Sequence, residues 1–248
     1  VRYPLSDKQL LSLRIRDLKL KVPGSLVEEK VLKLYDELEV RAVRFRPHVY
    51  FGDEWFSPEG MLAISVPFFL AHPRLVKLER KQMKEVEGDD PDYFMRLIRH
   101  EAGHCFDHAY RFSRRPKWRK LFGSPKKEYA PESYEPSPRS RKFVQNLDNS
   151  YAQAHPDEDF AETFATWLDP ARNWMREYAR WPVALAKLRY VDSLVREAKH
   201  KMPRPAATGY LPCAASRLRT TLDKYYVKRK IAAERLKSSG RVQKSYER

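Results

Sequence analysis

Three residues in one short run have the types and spacing of a metal-dependent hydrolytic site: His100, Glu101 and His104, in the stretch His-Glu-Ala-Gly-His. On an α-helix, residues i and i+4 lie on one face, so the two imidazoles can address the same cation. Glu101 sits slightly round the helix, where a carboxylate can reach a water on that cation. A catalytic zinc needs three protein ligands and an open fourth position, so one more donor must come from elsewhere. The candidates are concentrated downstream, in His155, Asp157, Glu158, Asp159 and Glu162. Glu158 and Glu162 are again i and i+4, so one can bind the cation while the other hydrogen-bonds a ligand imidazole. His108 continues the spacing, but on a straight helix its Cα lies about 6 Å beyond that of His104, which favours packing over ligation.

These side chains need rigid elements beneath them. The motif helix is expected over about 91–112, with Asp90 as its cap and Pro91 in its first turn. Phe94, Leu97, Ile98, Ala102, Cys105, Phe106 and Ala109 form the apolar stripe that would anchor it in a core. A second helix opens at Asp157 and stops before Asp169-Pro170, its acidic first turn matched to the helix dipole. Upstream, Leu26, Val27, Val31, Leu34 and Leu38 mark a further helix. Residues 10–20 read as a bulged strand, with helix as the competitor, and 41–46 alternate as a half-buried strand does. Met61, Leu62, Ala63, Ile64, Ser65 and Val66 form another strand, stopped by Pro67. Prolines at 116, 125, 131, 136 and 138 argue against any helix or central strand between Arg111 and Arg141, leaving a long surface excursion. Helices follow over about 174–181, 183–198 and 214–236.

The fold class expected is therefore α+β, in a single catalytic domain spanning 1–248. It comprises an N-terminal α/β part (about 1–112), a basic Pro-rich insertion (about 113–142), a helical part (about 143–236) and a frayed basic tail (237–248). With 248 residues, 42% hydrophobic and 33% charged, the chain has the composition of a globular protein. No stretch approaches the length of a membrane span, so no integral membrane segment is expected. Two cysteines, Cys105 and Cys213, build neither a disulfide framework nor a thiolate cluster. With no signal-like apolar run at the start, the expected location is cytoplasmic. The net charge of +16 is localised: residues 111–147 hold eleven Lys/Arg against three Glu, and residues 209–248 hold eleven against three acidic residues. Both regions could attract an anionic partner. The oligomeric state is not legible.

His100-Glu101-Ala102-Gly103-His104 followed by Glu158-Asp159-Phe160-Ala161-Glu162 resembles the gluzincin metallopeptidases. The likeness is nearest to a bacterial zinc-binding metallopeptidase family and more distant to the anthrax lethal factor-like catalytic domain. The region 45–87, including Pro67-Phe68-Phe69-Leu70-Ala71-His72-Pro73, carries the same likeness. The resemblance implies one zinc per chain with His100, His104 and Glu158 as ligands and Glu101 as base. It also implies Glu162 as the carboxylate steadying His100, and Tyr151, seven residues before Glu158, as donor to the developing oxyanion. The implied fold is zincin-like: a small mixed sheet whose edge strand lies over the active-site helix, and a helical C-terminal half. An extended peptide or protein substrate would lie along that edge, for which Met61–Val66 is the strand expected.

A competing reading is a nucleic-acid or anionic-polymer binding protein with a structural or vestigial zinc site. It draws on the two basic regions and their aromatic residues Trp118, Tyr129, Tyr134, Tyr225 and Tyr226. A structural zinc would be coordinatively closed, and no fourth ligand is evident.

Overall fold

Proline opens five of the helices among the described residues, at position N1 where its missing N–H costs nothing. The computed structural model describes residues 5–130, 134–203 and 210–238. In chain order the elements are α1 (Asp7–Ser12), a 3-10 turn (Ile15–Leu18), α2 (Glu28–Val40), β1 (His48–Gly52), β2 (Ala63–Pro67) and α3 (Pro73–Met83). Then come α4 (Pro91–Tyr110), α5 (Pro116–Phe122), α6 (Pro156–Leu168), α7 (Trp174–Glu177), α8 (Pro182–Ala198) and α9 (Leu222–Ser238). The architecture is α+β, rich in helix, with one small sheet among the described residues.

Helices α4 and α6 form the centre. The ring of Phe106 on α4 lies 6.5 Å from that of Phe160 and 5.0 Å from that of Phe164, both on α6. Gly103 marks their closest approach: a Cβ there would lie 2.8 Å from the Cα of Ala161 and 3.0 Å from its carbonyl oxygen. Only a residue without a side chain fits that gap. Buried ion pairs hold both helices from outside. Arg99 on α4 grips Glu37 of α2 through two 2.7 Å bonds and reaches Asp169 at 3.0 Å. Lys187 on α8 meets Asp159 on α6 at 2.5 Å and donates to the Lys142 carbonyl at 2.9 Å.

The sheet pairs β1 and β2 in parallel, with His48 opposite Ala63. After β1 the chain doubles back on the far side of β2, where Phe56 forms an antiparallel bridge to Ser65. A turn with Gly60 at φ +72° then leads into β2. Strand β2 packs on α4 through Cys105, whose Sγ donates to the Ala63 carbonyl at 3.5 Å, while residues 54–57 line the cleft beside that helix and Ser57 Oγ donates to the Glu101 carbonyl at 2.9 Å.

Four sequence expectations change. Residues 10–12 end a helix and 15–18 form a 3-10 turn, with Arg14 between them in an isolated bridge to Thr221; the buried Leu10, Ile15 and Leu18 stand at spacings of five and three rather than two. At 43–46 the burial alternates as expected, Val43 and Phe45 inward and Arg44 and Arg46 outward, but among the described residues no partner strand lies alongside and the ladder begins at His48. The insertion contains a helix, α5, because Pro116 stands at its first position and Pro125 beyond its end; Trp118 and Phe122 anchor it. The last helix starts at Leu222, after a 3-10 turn at Ala215–Arg217, and not at 214. Of the expected tail 237–248, residues 239–248 lie outside the described residues, as do 131–133 and 204–209.

Candidate metal centre

Helix α4 presents His100 and His104 one turn apart, and the crossing at Gly103 brings the first turns of α6 against them. His100 Nε2 and His104 Nε2 are 3.1 Å apart, and Glu158 Oε2 lies 2.9 Å from the first and 3.3 Å from the second. A tetrahedral zinc with bonds of about 2.0–2.2 Å sets its ligand atoms about 3.3 Å apart, so this triangle is the face of such a site. Glu158 Oε2 is buried and has no hydrogen-bond partner of good geometry, although it faces two imidazole nitrogens. A buried acceptor left in that state is costly, and a cation between the three atoms relieves it. The residues fit zinc.

The surrounding groups fix each ligand. His100 Nδ1 donates to Glu162 Oε1 at 2.8 Å, which leaves the Nε2 lone pair facing the triangle. Glu162 is fully buried and accepts further bonds from Asn146 Nδ2 and Leu147 N, each at 2.8 Å. Glu158 Oε1 accepts from the Tyr129 hydroxyl at 2.7 Å. Burial alone would raise the Glu158 carboxyl, but His104 and His100 beside it hold it well below the usual carboxylate range. Burial would keep His100 neutral, yet Glu158 and Glu162 draw its pKa up to about 10 when no other cation neutralises them. The electrostatics of the site thus call for positive charge at its centre.

Tyr151 is delivered by a kinked 3-10 segment, Asp148–Gln153, in which Asn149 and Ser150 both adopt left-handed backbone, at φ 53° and 54°. Its ring centroid lies 5.7 Å from that of His100. Burial, with Glu158 nearby, pushes its hydroxyl far above the ordinary range, so it is held as a donor. Glu101 is buried and lines the same cleft, a cavity of about 390 Å³ bounded also by Trp55, Tyr93, Leu97 and Leu147. The charged lining beyond the site residues is acidic (Glu54, Glu87, Asp148 and Asp157), and no Lys or Arg is among the described residues that line it.

Of the residues singled out from sequence, His100, Glu101, His104, Tyr151, Glu158 and Glu162 come together. The strand candidates Met61, Leu62, Ala63, Ile64, Ser65 and Val66 do not line this cleft; Glu54, Trp55, Phe56 and Ser57 do. The remaining ligand candidates make other contacts. His155 caps α6, its Nδ1 accepting from Asp157 N at 3.2 Å while Nε2 donates to the Lys127 carbonyl at 2.9 Å. Asp157 Oδ2 lies 3.4 Å from His155 Nδ1, and Asp159 pairs with Lys187. His108 stacks 6.5 Å from His104, and burial, with His104 beside it, lowers its pKa to about 4. Asn146 is not singled out from the sequence, and Tyr129 only as an aromatic residue of the competing reading. Neither stands at a helical spacing from a ligand, so no periodicity could have found them. The aromatic residues of the competing reading are largely occupied: Trp118 and Tyr226 are core residues, and the Tyr225 hydroxyl donates to the Asp53 carbonyl at 3.0 Å.

A buried two-histidine, one-glutamate site on two crossing helices, with a buried glutamate beside it, defines a class of zinc-binding protein. The family described as "Putative zinc-binding metallo-peptidase" matches residues 71–198, just over half the chain, and the chain belongs to it. No curated protein and no solved structure matches the chain. Among the described residues no helix is long and apolar enough to cross a membrane.

Proposed function

We propose that the protein is a zinc-dependent peptide hydrolase of the gluzincin pattern, holding one zinc per chain. The observation that carries this reading is the buried triangle of His100 Nε2, His104 Nε2 and Glu158 Oε2 on the floor of an open cleft, next to Glu101. Zinc bound there would polarise a peptide carbonyl and acidify a water molecule. Glu101 takes the proton from the attacking water at its carboxylate and passes it to the leaving nitrogen. The Tyr151 hydroxyl donates to the oxygen on which negative charge develops, a bond that strengthens toward the transition state. Glu162 keeps the His100 proton on Nδ1. The substrate lies extended beside Glu54–Ser57, where a peptide backbone can add to the sheet layer. The acidic lining favours peptides with cationic side chains near the scissile bond.

The test compares the parent protein with Glu101→Gln, by metal content and by hydrolysis of a peptide library. About one zinc per chain is expected in both, with cleavage by the parent only and enrichment of Lys and Arg near the cut. A parent that binds no zinc, or a Glu101→Gln form as active as the parent, removes the reading.

A further inference from the structure

Tyr129 belongs to the basic insertion, 29 residues before Glu158 in the chain, yet its hydroxyl lies 2.7 Å from Glu158 Oε1 and 3.2 Å from the Tyr151 hydroxyl. A carboxylate has two oxygens and can offer either or both to a cation. With a phenol donating to Oε1, Glu158 presents Oε2 alone to the point between the two imidazoles. The phenol is itself held. Its ring packs edge-on against His155, with centroids 5.3 Å apart. The Lys127 carbonyl accepts from His155 Nε2, and His155 in turn caps the helix that carries Glu158. Residues 127–129 are thereby held beside the N-terminus of α6, which carries the tyrosine to its carboxylate.

We propose that Tyr129 is a positioning residue of the metal centre: its hydroxyl confines Glu158 to one-oxygen ligation through Oε2 and orients the Tyr151 hydroxyl beside it. The insertion is on this view part of the hydrolytic unit. The proposal rests on reading His100, His104 and Glu158 as zinc ligands. Groups that hydrogen-bond metal ligands typically change metal affinity by about 10–100-fold when removed, which sets the size of effect to look for.

The experiment uses the full chain as parent, Tyr129→Phe and Tyr134→Phe. Tyr134 is the matched control, an insertion tyrosine whose hydroxyl donates to the Asn149 carbonyl at 2.8 Å instead of to a candidate ligand. Zinc affinity is measured by chelator competition, and the visible absorption of the Co²⁺-loaded protein reports the ligand field. Tyr129→Phe is expected to bind zinc about tenfold more weakly and to show a shifted Co²⁺ spectrum. Tyr134→Phe is expected to match the parent in both, whatever either variant loses in thermal stability. Parent-like affinity and spectrum in Tyr129→Phe overturn the proposal alone, and equal losses in both variants do the same by showing a merely structural tether. A parent that takes up neither metal overturns the site reading and this proposal with it.

Discussion

A carboxylate with no exposure must be satisfied by its neighbours, and Glu162 has three donors for its two oxygens: His100 Nδ1, Asn146 Nδ2 and Leu147 N. Truncation to Ala takes the acceptor from all three; Asn146 Nδ2 keeps its 3.4 Å bond to the Arg96 carbonyl, and each donor left unsatisfied costs about 1–3 kcal/mol before relaxation. We therefore expect Glu162→Ala to lose at least about 2 kcal/mol in denaturant unfolding of the metal-free protein, and zinc affinity to fall about 10–100-fold in titration. A variant that keeps the parent's affinity would show that His100 needs no outer partner. At this scale the sequence was informative wherever chemistry follows helical spacing. His100 and His104, and Glu158 and Glu162, each announce a shared helix face. Asn146 and Tyr129 act from irregular segments, where position depends on how loops pack rather than on any period.

Between elements, the geometry of the centre depends on one crossing. Two ligands ride on α4 and the third on α6, and Gly103 lets the helices meet with Ala161 backbone where a side chain would stand. Adding a methyl group at that point has no flexible side chain to push aside. Gly103→Ala is expected to cost about 1–3 kcal/mol, as overpacking does, despite the better helix propensity of alanine. It is also expected to weaken zinc binding, because the helices can part only by drawing Glu158 away from the two imidazoles. Calorimetric melting with and without zinc checks both effects; a variant as stable as the parent with unchanged zinc affinity would mean that the crossing adjusts freely. The glycine could be read in the motif, but not its reason, since nothing local says which helix lies opposite. The long helices were legible from capping residues and apolar stripes. The region 10–20 was not, because its five leucines and one isoleucine are compatible with either period until the partner surface, here residues 218–221, is known.

Across the whole molecule, the two ends of the described chain meet: Arg14 bridges Thr221, and Leu222 N donates to the Leu13 carbonyl at 2.9 Å. Asp7, at the start of α1, ties that corner to α3 through Lys81 at 2.7 Å and through Arg74. These two partners hold the Asp7 carboxyl at about 2. A depressed carboxyl contributes stability that is complete above the unfolded value of about 3.9 and disappears as pH falls through the folded value. The stability difference between parent and Asp7→Asn should accordingly be constant near neutrality, shrink below about pH 4 and vanish near about pH 2, as read by urea midpoints across that range. A difference that does not change with pH would place the contribution of Asp7 in packing instead of charge. The return segment 54–57 also has a consequence at this scale. Every candidate ligand lies within residues 71–198, the span shared with the family, whereas Glu54–Ser57, which wall the cleft, lie before it. The candidate ligands and this one wall of the cleft thus come from different stretches of the chain, so substitutions at Glu54–Ser57 can reshape the wall and leave every candidate ligand in place.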